Sequence, residues 1–584
     1  MNVLNALKAG FSRRLLALWL VVAIFATACS SDGGSGGGAS NPPTAIPADA
    51  IKVTFTYGSE KDAWVKAVTQ TFNQSNQRTA SGKLIVAEPI PVGSTESAYD
   101  IVEGRAQPAL WSPASRLLIP ILNDEWLAKN GKEIVDPAEC RDLVLSPIVI
   151  MMWRPMAEAL GWPNQNIGWA DIIKLATSPN GWADYGKPQF GKFRFGHTHP
   201  DYSNSGLQAI AAIAYAASGK QRGLTPDDVK APDAVKFMQQ VESSIAHYGR
   251  STGFFGREMA ARGTAYLSAA IVYENLVAEN NKERGTRLEF PLVAIYPKEG
   301  TFQSDHPACI PDAPYMNADL KEAAGIYRNF LLANAQQQRA LEFGFRPADT
   351  SIAIGAPLTR DFGVDPDQPK NTLSVPTAAT LRAIREVWQQ TKRKVNLTML
   401  IDVSGSMREQ DGTNTSRIQS AREGAKAFVD QLADEDTFTL ITFSSNQLVL
   451  LENLPVGPNR DRIKREIDSL IAQGGTKLYD SIAFSIERMK LSTEKINALV
   501  VLSDGEDTES QRFTSPSTLM DRFGMRAEAA GPDVSIFTIG FGRAVESGDL
   551  QTILKTIASR GRGAFYKATI ADISQIYQEI STFF

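Results

Sequence analysis

The chain has 584 residues, 43% of them hydrophobic and 21% charged, with a formal net charge of -4. This composition excludes a disordered or polytopic membrane protein, and the length asks for about three structural units rather than one core. The acidic balance argues against nucleic acid as the partner.

Lys8, Arg13 and Arg14 precede an apolar run over 15–28 that ends Ala26-Thr27-Ala28 and meets Cys29. These are the parts of a secretory signal, and the run is short for a membrane span. A cysteine straight after small residues resembles the bacterial lipoprotein signal, with Ala26 where Leu is more usual. The resemblance implies a signal peptide over 1–28, diacylation of the Cys29 thiol and anchoring to the membrane by lipid, at roughly 0.8 kcal/mol per buried CH2. Residues 29–50 are rich in Gly and Ser, then Pro, and read as a flexible tether. The folded part is then extracytoplasmic, on the outer face or in the periplasm. In such an oxidising compartment Cys140 and Cys309 invite a disulfide, which sequence alone does not prove.

Residues 51–57 alternate as a strand. Gly58-Ser59-Glu60-Lys61-Asp62 opens a helix with Trp64, Val65, Val68 and Phe72 on one face, and Ser59 with Asp62 forms a capping pattern. Strand and helix signals alternate to about residue 345, so this is an α/β domain. A strand at 193–196 leads through His197 and His199 to Ser203-Asn204-Ser205-Gly206, where an alanine-rich helix begins. Hydroxyls and free N–H groups at a helix start suit an anion or polar solute. The two histidines lack a nearby acid or cysteine set and are a weak zinc signal. Gly249-Arg250-Ser251-Thr252-Gly253 fits the nucleophile elbow of serine hydrolases, which needs a strand before the serine. Val235, Phe237, Met238, Val241 and Ile245 instead repeat at helical spacing over 234–246, so we read a chance match and no enzyme.

Leu110-Trp111-Ser112-Pro113, Ser146-Pro147, Arg154-Pro155-Met156-Ala157, Gly196-His197-Thr198-His199-Pro200, Val272-Tyr273-Glu274-Asn275 and Gly344-Phe345-Arg346-Pro347 occur in order. Together they resemble bacterial extracellular solute-binding proteins, particularly the group that includes molybdate-binding proteins. The resemblance implies a two-lobed domain over 51–352, with hinge strands near 143–153 and 290–296 and a small solute closed between the lobes. Both cysteines would lie near the hinge. Candidate solute contacts are Ser59, Ser112, Ser203, Ser205 and Tyr273; helix caps or core hydroxyls explain each equally well.

Residues 353–376 are rich in Pro, Gly and Asp, and 377–394 carry Leu381, Ile384 and Val387 at helical spacing, so 353–394 is a linker and connecting helix. The apolar run 395–401 then stops at Asp402, followed by Ser404 and Ser406. A buried strand feeding a loop at its carboxyl end is where open α/β sheets hold ligands. Carboxylate plus hydroxyls is an all-oxygen set suited to Mg2+ or Mn2+, although a plain turn or N-cap looks the same. Gly474-Gly475-Thr476 precedes an amphipathic helix, and the strand 498–502 ends in Ser503-Asp504-Gly505.

Asp402, Ser404, Ser406, Thr476 and Asp504 together resemble the metal-ion-dependent adhesion site of von Willebrand factor A domains, over 395–584. The resemblance implies Ser404, Ser406 and Thr476 as direct ligands of Mg2+ or Mn2+, with Asp402 and Asp504 close and partly acting through water. It also implies a coordination position for an acidic residue of a protein partner. Strands near Leu397, Phe438, Val500 and Phe537, with helices over 416–432, 460–471, 478–489 and 573–584, make a doubly wound, Rossmann-like sheet.

The expectation is a lipid-anchored, non-enzymatic α/β binding protein: a two-lobed periplasmic-binding-protein-like domain followed by a von Willebrand factor A domain. It would engage a protein partner through metal, in interaction or adhesion. A second reading is the solute-binding component of an ABC-type importer for a small solute or oxyanion.

Overall fold

Ile51–Gly58 sends Val53, Phe55 and Tyr57 into a core and becomes the middle of a three-stranded parallel sheet, between Ile85–Val92 and Leu110–Ser112. The computed structural model that shows this describes residues 47–525, 534–542, 545 and 548–583. The signal segment, Cys29 and most of the tether lie outside the described residues. Helix Asp62–Gln74 buries Trp64, Val65, Val68 and Phe72 on the face their spacing marks. The cap expected of Ser59 is not made. A 3-10 turn, Ser59–Lys61, intervenes, so Lys61 takes the position before the helix, and Asp62 accepts from the Tyr57 hydroxyl at 2.8 Å.

The second lobe is built on Val144–Trp153, an almost wholly buried strand. It pairs antiparallel with Ala269–Tyr273 and Leu292–Ile295, and Phe195–Thr198 and Ile245–Gly249 extend the sheet. The second hinge strand is not at 290–296. That stretch lies inside the lobe, with Leu292–Ile295 against Ile150–Trp153. The return crossing is Gln303–Ser304, paired with Ser146 and Pro147, then Pro307–Ala308, paired with Arg141 and Asp142. The crossing is buried but paired only two residues at a time and mixes Gln, Ser, His and Pro with Ala, so it leaves no long apolar signature. Cys140 and Cys309 are joined by a disulfide at this crossing, with a Cα–Cα distance of 4.5 Å.

The helical repeat after residue 231 also ends earlier than expected. Helix Pro232–Glu242 stops, and Ile245–Gly249 is a strand that leads to Ser251 at the start of helix Thr252–Arg262. The ground given for discounting the elbow therefore fails. A nucleophile there still needs a base, and the rings of His197, His199 and His306 bond to Glu242, the Asp201 amide and Lys61 instead.

The linker is irregular but pinned. Leu358, Val364 and Leu373 are buried, and the Ala294 amide donates to the Gly363 carbonyl at 2.8 Å. Gly363 has φ +76°, and a Cβ there would come within 2.1 Å of the Leu292 carbonyl oxygen, so only glycine permits this approach. Helix Ala378–Thr391 buries Leu381, Ile384, Val387 and Trp388 against the helices Asn204–Ser218, Pro226–Lys230 and Pro232–Glu242 of the second lobe. Three residues later the C-terminal sheet begins. Its strand order is Gln447–Pro455, Thr437–Phe443, Val395–Asp402, Ile496–Ser503, Ser535–Phe541, Arg562–Ala568, parallel except for the first. The two outer strands lie beyond the four expected: Gln447–Pro455 carries an apolar run at 448–451 that the sequence reading passed over, and Arg562–Ala568 has no such run. The Tyr248 amide donates to the Phe583 carbonyl at 3.2 Å and Arg393 to the Ile245 carbonyl at 2.8 Å, and residues 49–584 pack as one unit.

Candidate metal centre and interlobe cleft

Val395–Asp402 is buried along its whole length, so its apolar residues serve both faces of the sheet and Asp402 arrives at the carboxyl edge fully buried. There Asp402 Oδ1 accepts from the Ser404 amide at 2.8 Å, which turns the loop, and Oδ2 accepts from the Ser503 hydroxyl of the neighbouring strand at 2.7 Å. The Ser404 and Ser406 hydroxyls lie 3.0 Å apart, and Ser406 donates to Asp504 Oδ1 at 2.8 Å. The loop carrying Thr476 is tied alongside: the Gly405 amide donates to the Gly474 carbonyl at 2.9 Å, and the Gln473 amide to the Val403 carbonyl at 2.6 Å. A Cβ on Gly505 would lie 3.5 Å from Thr476 Oγ1 and 3.9 Å from Ser406 Oγ, so glycine leaves room where those hydroxyls converge. The five residues named from sequence are thus assembled at one sheet edge, with Gly405 and Ser406 partly open to solvent.

The charge balance of this edge is equally specific. Burial, and the Asp504 charge beside it, push the Asp402 carboxyl up to about 7. Burial also raises Asp504, with Arg417 and Ser406 pulling against it. Two desolvated carboxylates resist ionising together, so the edge is short of positive charge. Arg417 supplies one: its Nη1 donates to Asp504 Oδ2 at 2.8 Å, and its other nitrogens grip both Asp411 oxygens at 2.7 and 2.5 Å. Oxygen-only donors, room between them and unbalanced negative charge fit a hard divalent cation. Ser404, Ser406 and Thr476 would hold it, with Asp402 and Asp504 behind them.

Sequence reading did not assign Arg417 or Ser503 to the site. Ser503 could have been found, because in a parallel pair its side chain must face the end of the strand that carries Asp402. Arg417 could not, since helix-start arginines are commonplace and only the fold brings this one to Asp504.

Of the five cleft candidates, Ser203 and Ser205 come together, Tyr273 lies beside them through Asn204, Ser112 bonds to the His306 carbonyl, and Ser59 stands near Gly253 by its backbone. Their polar atoms are largely spent on the protein itself. Ser205 Oγ lies 2.7 Å from Thr198 Oγ1 and 2.6 Å from Thr252 Oγ1; Ser203 Oγ lies 3.0 Å from Thr252 Oγ1. Asn204 donates to the Tyr273 hydroxyl at 2.9 Å, and Ser112 to the His306 carbonyl at 3.4 Å. The lobes touch through backbone: Cβ atoms on Gly93 and Gly253 would come within 2.3 Å of the Tyr202 carbonyl oxygen and 2.7 Å of the Ser59 carbonyl oxygen. Between them Lys61 is fully buried, with Nζ 2.8 Å from Glu60 Oε1 and 3.0 Å from His306 Nδ1. Burial works against the Glu60 carboxylate, yet Lys61 and His306 hold it down at about 2.

His197 and His199 do not converge as a metal pair. His197 turns its nitrogens to the Thr198 carbonyl and Glu242, while the His199 ring packs on Trp388, 4.8 Å between centroids.

Two family models match the chain: bacterial extracellular solute-binding protein over residues 53–346, half of the 584 residues, and von Willebrand factor type A domain over 397–506. Inter-alpha-trypsin inhibitor heavy chain H4 of Sus scrofa is 23% identical over 359 residues, 57% of this chain and 36% of that protein. A UPF0353 protein of Mycobacterium tuberculosis is 26% identical over 208 residues, 32% of this chain and 60% of that protein. An uncharacterized protein of Synechocystis is 27% identical over 173 residues, 29% of this chain and 36% of its own length, so the chain spans about a third of the length of two of these relatives. Among solved structures, the sulfate-binding protein SubI of Mycobacterium tuberculosis H37Rv is 17% identical, covering 52% of this chain and 88% of that one, with a TM-score of 0.35. A von Willebrand factor type A structure from Catenulispora acidiphila is 21% identical, covering 32% of this chain and 42% of that one, with a TM-score of 0.27. The chain belongs to the bacterial extracellular solute-binding proteins and joins to that fold a von Willebrand factor type A domain.

Proposed function

We propose that this chain is a membrane-anchored, extracytoplasmic, non-enzymatic binding protein that engages an acidic residue of a protein partner at the Asp402–Asp504 centre. The observation that carries the reading is the convergence of five oxygen-bearing side chains at one sheet edge, with Ser406 partly open to solvent. Bound Mg2+ or Mn2+ would supply the coordination position that a partner carboxylate takes. Asp402 holds the loop in register through the Ser404 amide, and Arg417 holds Asp504 in its ligating posture. Both are in place before any partner arrives, which limits the ordering cost of binding. The signal, Cys29 and tether support the lipid anchor, and the family description supports the extracytoplasmic setting.

The two-lobed domain is the module for a small solute in this reading. Transport for an importer is the weaker use, because Ser203, Ser205 and Tyr273 already satisfy one another or their neighbours. The deciding experiment is a calorimetric Mn2+ titration of the full chain and of Asp402→Ala. Saturable binding by the parent, lost in the folded variant, supports the centre; equal binding by both, or none by the parent, removes it. A thermal-shift panel of oxyanions, sugars and amino acids then tests the cleft, since a ligand specific to the native state must raise the midpoint.

A further inference from the structure

A second cavity, of about 540 Å3, lies between the second lobe and the pinned linker. None of the cleft candidates lines it. Its walls include Arg154, Trp162, Ile295 and Val364, and the exposed acids Glu158 and Asp361 also border it. The volume lies in the range of small-molecule sites.

The walls are preformed. Tyr296, also in the lining, donates to the buried Glu274, which Arg346 grips at 2.7 and 2.6 Å. The linker wall is held by the Ala294–Gly363 bond at 2.8 Å and by Asn281, which donates to the Phe362 carbonyl at 2.8 Å. Arg360, the other arginine here, is spent on Asp365 and Asp367, each at 3.0 Å.

Arg154 is not spent. Its backbone amide is fixed to the Pro291 carbonyl at 2.8 Å, and its guanidinium lies 5.7 Å from the centre of the Trp162 ring. Among the described residues the guanidinium has no ion-pair partner, and its Nε–H is buried with no acceptor. A buried donor left unpaired is unfavourable, and a guanidinium edge matches a carboxylate with two parallel bonds. Trp162 offers apolar surface beside the guanidinium, with the almost wholly buried Ile295 and Val364 in the same lining, while Glu158 and Asp361 oppose a second negative charge.

We infer that this cavity binds a small organic monocarboxylate with an aromatic or branched apolar body, its carboxylate on Arg154 and its body against Trp162. The site is independent of the metal centre, so the test is run on the full chain in EDTA. Phenylacetate is titrated by calorimetry, beside its neutral amide and phenylmalonate, a dicarboxylate. Saturable phenylacetate binding is expected, with the amide and the dicarboxylate at least about tenfold weaker. Arg154→Gln should weaken phenylacetate by at least about tenfold, with the unliganded melting point unchanged, because the guanidinium holds no ion pair that the substitution would break. Trp162→Leu should weaken it with the preference for the carboxylate retained. Three results overturn the inference: no saturation by phenylacetate, equal binding by Arg154→Gln, or a melting point that falls by several degrees in Arg154→Gln, which would make the arginine a structural group.

Discussion

Arg417→Gln tests the electrostatics of the metal centre most directly. The guanidinium is 4% exposed, donates to Asp504 Oδ2 at 2.8 Å, and holds both oxygens of Asp411. Without it Asp504 stays buried beside Asp402 with only the Ser406 hydroxyl as partner. Breaking a buried ion pair from one side costs about 3–5 kcal/mol. Asp411 is 14% exposed and regains some water, so the lower end, about 3 kcal/mol, is expected in EDTA. If the domain melts as a separate transition, that is roughly 6–12 °C. A cation at the Ser404, Ser406 and Thr476 oxygens replaces the lost charge; it stabilises parent and variant alike, so the deficit narrows by about 1.4 kcal/mol for each tenfold by which the variant, no longer carrying the competing guanidinium, binds it more tightly. Equilibrium urea unfolding of parent and variant, each with EDTA and with saturating MgCl2, reads both terms. The variant should lose most of its deficit in MgCl2. Parent-like stability of the variant in EDTA would refute the buried pair as a stabilising contact. A deficit that MgCl2 leaves unchanged would refute the cation's place beside Asp504.

The Cys140–Cys309 bond spans 169 residues of sequence, so Cys140→Ser should cost about 5 kcal/mol in the chain-entropy account, read as a lowered urea midpoint. Glu279 is pushed up to about 7 by burial, with Arg257 at 3.2 Å pulling against it. A raised carboxyl pKa means the native state binds the extra proton between about pH 4.5 and 7, so its stabilising contribution is present at low pH and lost as pH rises through that window. Glu279→Gln should therefore match the parent at pH ~5 and exceed it at pH ~8, by at most about 3 kcal/mol; a difference independent of pH would sink this reading. A chain ended at residue 352 removes Trp388 and Phe583 from His199 and Tyr248, so it should melt lower than the full chain and bind a hydrophobic dye.

Much of the candidate site's side-chain cluster was legible because its residues are local in sequence. Asp402, Ser404 and Ser406 sit within five residues, Thr476 precedes a segment whose apolar pattern marks a helix, and Asp504 follows one whose pattern marks a strand. The errors arose where pattern and pairing part company. Ile245 continues a helical repeat in sequence, yet it starts a strand because the backbone pairs with Phe195. Residues 290–296 carry the apolar signature expected of a hinge strand and instead serve the interior of one lobe. The cavity at Arg154 is illegible for another reason. Its walls come from residues about 200 positions apart, and the linker's glycine approach that closes it is a tertiary fact.

The contacts also say which parts move together. Trp388, on the connecting helix, packs on His199 and Tyr248 of the second lobe, Arg393 reaches the Ile245 carbonyl, and the end of the A-type domain accepts from the Tyr248 amide. All of these are second-lobe contacts, apolar or backbone-directed, and ion pairs of Arg385 with Asp201 and of Glu386 with Lys230 add to them. The first lobe meets the same helix through side-chain polar bonds, Arg385 to the Tyr99 hydroxyl at 2.7 Å and Arg382 to Asp124 at 3.4 Å. Such bonds contribute about 1 kcal/mol each and yield before a buried aromatic cluster does. By these contacts the connecting helix and the A-type domain are tied to the second lobe more heavily than to the first. The strand Val395–Asp402 follows that helix after three residues, so the strand that carries Asp402 is joined directly to the helix packed on the second lobe.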